Sequence, residues 1–159
     1  MDENPTVGRP RVIDSASVFP MAEELLAAIH GHGMAHHSVV RWGKELADLH
    51  LDAQVAGEDE LDDINLRRSE LIHEIDLWTN RNVPQHRSGV RMHTETIGSV
   101  VDKIAEACIR LVHGMITWDI AGAEVRGACN HLAEVVLGYR DLVAEVVQGQ
   151  RRLPMLGGH

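Results

Sequence analysis

The residues with chemical potential in this sequence are ionisable side chains set on or beside apolar helical faces. In the segment HTETIGSVVDKIAEACIRLVHG, residues 93–114, Glu95, Gly98 and Asp102 stand at i, i+3 and i+7, with Lys103 next to them. They flank an apolar stripe of Ile97, Val101, Ile104, Cys108, Leu111 and Met115. Helical spacing puts such residues on one face. An earlier stripe, Leu61, Ile64, Arg68, Leu71, Ile75 and Trp78, contains an arginine, and Lys44, His50 and Asn65 lie near the edges of this stripe and of the one before it. Burying a charge is costly unless it is paired or binds something. Carboxylates, an arginine, a lysine and a histidine on adjacent helices would supply both an anion clamp and acid–base groups. His50 or Glu95 would carry a proton, Asp102 would stand with them, and Arg68 and Lys103 would hold a substrate anion. The structural alternative for Arg68 is a stem laid over the core, with its head in water or paired to Glu45 or Asp102.

Helices must position these groups. A short first helix is expected after Ser17, with Pro20 in its first turn and Gly31-His32-Gly33 as its stop. The second spans about residues 35–55 on a stripe of Val39, Trp42, Leu46, Leu49 and Ala53. Gly57 breaks it, and EDELDD opens a third helix that runs to about Asn80, its acidic first turn favoured by the helix dipole. A long basic loop, NRNVPQHRSGVRMH, leads to a fourth helix starting near Thr94, where a threonine can cap free backbone N–H groups. A Gly114–Asp119 junction precedes the fifth, whose stripe runs Trp118, Ala121, Val125, Ala128, Leu132, Val135, Tyr139, Leu142 and Val146. No stretch alternates with period two between turns. The expected fold is all-α, an antiparallel bundle of four main helices plus a short N-terminal helix. Residues 1–15 read as a disordered arm, 16–150 as the single helical domain and 151–159 as a tail.

Composition limits the classes of function. A length of 159 residues fits one domain with a real core. Aromatics make up only 3%, so that core is aliphatic, which suits helices. A formal charge of −9 argues against a general nucleic-acid or anionic-membrane surface. No apolar run is long enough for a membrane span and the first residues lack a signal-peptide layout, so a cytoplasmic protein is expected. Cys108 and Cys129 sit in helical patterns beside alanines, where a cysteine usually acts as a small buried apolar residue.

Several chemistries lack their parts. There is no phosphate loop, no dinucleotide-binding glycine pattern and no serine elbow. The string ELIH, Glu70 to His73, has the Glu-x-x-His spacing of di-iron bundles but has no second copy, and the fifth helix offers only His131-Leu132-Ala133-Glu134 in reverse. Glu70, Glu74 and Asp76 with Asp102 and Glu106 give a magnesium-dependent hydrolase a foothold without a distinctive spacing. No cofactor or metal is assigned.

The segments LADLHLDAQVAGED, INLRRSELIHEID and HTETIGSVVDKIAEACIRLVH together resemble the bacterial domain-of-unknown-function family 4254, over about residues 40–150. Thr-Glu-Thr-x-Gly-Ser-x-x-Asp is the most specific shared motif. Carried over by position, the resemblance puts weight on His50, Glu58, Asp59, Asn65, Arg68, Thr94, Glu95, Thr96, Gly98, Ser99, Asp102 and Lys103. His93 stands where the family has asparagine, Ser69 where it has a second asparagine, and His73 where it has glutamate; a tryptophan usual between Leu-His and Glu-Asp is absent. The resulting expectation is a polar interhelical pocket for a small charged metabolite. Its candidate catalytic groups are Glu95, Asp102 and His50, and its candidate ligand-binding groups Arg68, Asn65, Lys103, Thr94, Thr96 and Ser99. The alternatives are a structural homo-oligomer whose polar residues form buried ion pairs, and a divalent-metal-dependent hydrolase of a phosphorylated small molecule. A homodimer is expected, through small residues such as Ala128 and Gly138 on the last helix.

Overall fold

A computed structural model describes residues 18–33, 35–84, 89–117 and 122–154. The expected N-terminal arm, and Trp118 and Ala121 of the last stripe, lie outside them. The described chain is all-α, with α1 at Ala22–Ile29, α2 at Ser38–Ala53, α3 at Glu58–Asn82, α4 at Ile97–Thr117 and α5 at Ala123–Val147. Helix α4 packs against each of the other four. Asp76 of α3 meets Gly98 of α4 while Arg68 meets Asp102, so these two helices run antiparallel.

The central place of α4 follows from its composition. A stripe of one residue per turn serves one neighbour, but α4 also buries Val100, Ala105 and Ala107 beside Ile97, Val101, Ile104 and Cys108. The apolar surface therefore wraps most of the helix, as burial on several sides requires. Met115, at the far end of the expected stripe, is half exposed. Against α4 pack Leu46 and Val39 of α2, Leu71 and Ile75 of α3, Leu25 of α1, and Tyr139 and Leu142 of α5 in one continuous core.

Helix ends correct the expected boundaries by local chemistry. Pro20 precedes α1 rather than opening it, and its carbonyl accepts the Tyr139 hydroxyl at 2.7 Å. His37 caps α2, its Nδ1 accepting from the Val39 N–H at 3.1 Å. The cap of α4 is Thr96 rather than Thr94: the Thr96 hydroxyl accepts from the Ser99 N–H at 3.1 Å, while Thr94 is exposed. Gly114 lies inside α4, so the junction to α5 starts later than expected.

Cys108 is buried, and burial pushes its thiol up to about 11. Cys129 is exposed, contrary to its expected place, because among the described residues α5 packs chiefly against α4 and, to a lesser extent, α1, and its outer face meets water. Ala128 is buried in the chain's own core, so it is not free to meet a second copy; Gly138 lies on the outer face. No described helix is long and apolar enough to cross a membrane.

Candidate functional site

The antiparallel run of α3 beside α4, with α2 packed against both, carries Asp102 into contact with both neighbours. Arg68 donates from Nη2 to Asp102 Oδ2 at 2.7 Å and from Nε to Oδ1 at 3.3 Å, and His50 Nε2 donates to Oδ1 at 2.8 Å. Asn65, one turn before Arg68, accepts from its Nη1 at 3.1 Å and fixes the fork. Asp102 is only 7% exposed. Burial alone would raise its carboxyl, but the hydrogen bonds and charges of His50 and Arg68 outweigh that and hold it below the ordinary range. The charge is therefore kept, and Arg68 in turn is held more firmly protonated, first by its bonds to Asp102.

Arg68 keeps more solvent exposure, 27% of its side chain against 11% for His50, but it is His50 that borders an open cleft. Its ring lines a cleft of about 390 Å³ between the end of α2 and the middle of α4, with Ala53, Glu106, Ile109, Arg110 and His113 among the walls. Glu106, Arg110 and His113 continue the Asp102 face of α4 at steps of four, eight and eleven residues. With Asp102 ionised, His50 Nε2 carries the proton it donates, and Nδ1 is the ring nitrogen that Asp102 does not engage. Sequence reasoning passed over Arg110 and His113, although their spacing from Asp102 was legible.

A second polar node sits two turns of α3 away. Asp76, 8% exposed, accepts from the Gly98 N–H at 2.8 Å and from the Thr96 hydroxyl. It thus closes the amino end of α4 from a neighbouring helix. Gly98 permits this: a Cβ there would lie 2.4 Å from the Ile72 carbonyl oxygen and 2.8 Å from Asp76 Oδ1. Burial raises the Asp76 carboxyl, and the Gly98 and Thr96 bonds with the charge of His73 offset this only in part. No lysine or arginine among the described residues pairs with it.

The other candidates go elsewhere. Glu95 and Lys103 form an ion pair with each other at the surface. His93 closes a local turn, its Nδ1 accepting from the Glu95 N–H at 3.1 Å. Ser99 is half-buried in the first turn of α4. Lys44 pairs with Asp48, and Arg67 with Glu45 and Glu70. Among the described residues no three of His, Cys, Asp and Glu gather as a metal site. Of the carboxylates of α3 and α4 that a metal would need, Glu70, Asp76 and Asp102 are instead held by separate partners.

No curated protein and no solved structure matches the chain. The family model described as "Protein of unknown function (DUF4254)" matches residues 47–155, a span holding His50, Arg68, Asp76, Gly98 and Asp102. That match covers well over half of the sequence, and both polar nodes fall within it: the chain belongs to the DUF4254 family.

Proposed function

We propose that the cleft beside His50 binds a small charged metabolite and that His50 moves a proton on it. One observation carries this reading: the imidazole that lines the cleft is the same one whose Nε2 is held at 2.8 Å by a buried carboxylate. A histidine oriented through one nitrogen by an ionised aspartate presents the other as a base in a fixed tautomer. Arg68 and Asn65 act through Asp102, as positioning residues. Arg110 is the cation on the wall of the cleft, a place the sequence reading gave to Lys103, and Glu106 and His113 offer further polar contacts. Glu95, Thr94, Thr96 and Ser99 serve the entry to α4 in this reading, apart from the cleft.

The test is a thermal-shift screen of sugar phosphates, nucleotides and small carboxylates, since a ligand that prefers the native state raises its stability. His50→Gln keeps an N–H donor for Asp102 and removes the base; Arg110→Ala removes the cation. Stabilising compounds should lose their effect in Arg110→Ala, and any turnover should vanish in His50→Gln. A screen with no stabilising compound, or full ligand response in both folded variants, would sink the reading.

A structural role is the second reading, favoured by the use of both Asp102 oxygens to join three helices. It expects Arg68→Ala to destabilise the fold or dissociate a homodimer, with no ligand found.

A further inference from the structure

Leu153 and Pro154, after α5, border the same cavity as the buried carboxylate of the second node. After α5, Gly149 takes φ +76° and turns the chain. Arg152 then joins the segment ahead of α4: its N–H donates to the Arg91 carbonyl at 2.9 Å, and its carbonyl accepts from the His93 N–H at 2.7 Å. Leu153 is buried, and with Pro154 it roofs a cavity of about 20 Å³ whose floor includes Asp76, Thr79 and Thr96. A space of that size, with Asp76, Thr79 and Thr96 on its walls, holds about one water. The tail is thus a cover on Asp76: Gln150 and Arg151 are tied back to Glu145 at the end of α5, while the part over the cavity is held by the two backbone hydrogen bonds of Arg152 and by Leu153 and Pro154. Arg152 Nε is buried with no partner among the described residues, a cost that undocking of residues 152–154 would relieve.

The charged groups around Asp76 do little to fix its ionised form. His73, on α3 itself, acts on it by charge alone. Ahead of α4 stand His93, turned to its own backbone, and Glu95, engaged with Lys103. On α4 the nearest acid, Asp102, is committed to Arg68 and His50, and in the tail Arg151 is bonded to Glu145. Among the described residues the Gly98 N–H and the Thr96 hydroxyl donate to Asp76 and favour its ionised form without outweighing burial, to which the roof over the cavity adds.

We propose that residues 152–154 form a proton-responsive strap, docked over Asp76 while its carboxyl is neutral and released when the carboxyl ionises and draws in water. Docking and proton binding then favour each other by linkage, equally in both directions. A carboxyl whose pKa is higher under the strap than in the open form favours docking at low pH and loses it as pH rises through the docked value. Each unit of difference weakens docking about tenfold once the group is ionised. Release uncovers the Thr96 side of the Thr94–Ser99 motif, so the strap governs access to the amino end of α4.

Amide exchange in the full chain tests this, read at the two donors of the strap, His93 and Arg152, and corrected for intrinsic exchange. Their protection should fall as pH rises through the Asp76 titration, while amides in the middle of α2 stay protected. In Asp76→Asn the strap amides should be protected independently of pH. In Leu153→Ser, with the middle of α2 still protected, the Asp76 side-chain resonance should titrate closer to an ordinary aspartate. Strap protection that ignores pH in the unmodified chain, that keeps its pH dependence in Asp76→Asn, or an Asp76 titration unmoved by Leu153→Ser would each overturn the proposal.

Discussion

Asp102 and Asp76 are two aspartates buried to nearly the same degree, 7% and 8% exposed, with opposite electrostatic fates. Asp102 faces a guanidinium and an imidazole and is held ionised; Asp76 faces a backbone N–H and a hydroxyl, and burial lifts it toward the neutral acid. The difference lies in the partner. Charge opposite a buried carboxylate can outweigh desolvation, whereas neutral donors offset it only in part. Asp102 is built to keep a charge near a cleft, and Asp76 to join two helices with one held loosely.

The same substitution at both sites breaks the comparison most directly. Asp102→Asn leaves Arg68 and His50 without their anion and should cost about 3 kcal/mol of unfolding free energy in urea titrations, the lower end for a broken buried pair because Arg68 keeps some solvent. Gly98→Ala, which drives a Cβ into the Ile72 carbonyl, should cost about 2 kcal/mol by the same measurement, and it strikes only the Asp76 side. Asp76→Asn keeps an oxygen for the Gly98 N–H and sheds the buried charge. It should be neutral or stabilising by up to about 1 kcal/mol near pH 7. Lys103→Ala, at the surface pair with Glu95, should change stability by no more than about 0.5 kcal/mol.

Titrating stability against pH sharpens the contrast. Asp102, held low, contributes stability above the unfolded value that is lost as pH falls through its folded pKa. Asp76, held high, subtracts stability above its folded pKa, and the deficit closes as pH falls toward the ordinary value of 3.8. The gain from Asp76→Asn should therefore shrink on acidification, and the loss from Asp102→Asn should shrink as well. The two windows do not overlap: the Asp76→Asn gain should shrink between neutral pH and 3.8, and the Asp102→Asn loss only below 3.8, so urea titrations on both sides of that value would expose a wrongly described carboxylate as an effect that stays constant through its window.

Much of the architecture was legible because helical periodicity is local. The Leu71–Ile75 and Ile97–Cys108 stripes lie where spacing put them, and an arginine within a stripe did find a partner across the helix interface. Asp76 was visible only as one acid among several. Nothing local distinguishes it from Glu74, since its role depends on which residue of α3 falls opposite Gly98. Glu95 looked as good as Asp102 on spacing, yet α4 begins at Ile97, so Glu95 lies outside the helix and off its face. Cys129 was misjudged for the same kind of reason, because periodicity marks a face without saying whether a neighbour covers it.

By itself the sequence determined the helices, their approximate ends, an aliphatic core and the set of polar residues that did not belong to a plain bundle. These follow from spacing, propensity and capping, which act within a few residues. Only the tertiary structure decided that Asp102 is shared by Arg68 and His50, that Lys103 spends its charge on Glu95, and that Leu153 closes over Asp76. Those pairings join residues 34, 52 and 77 positions apart, and in one case eight across the start of α4, and a chain settles such choices only when its helices are formed and lie in register.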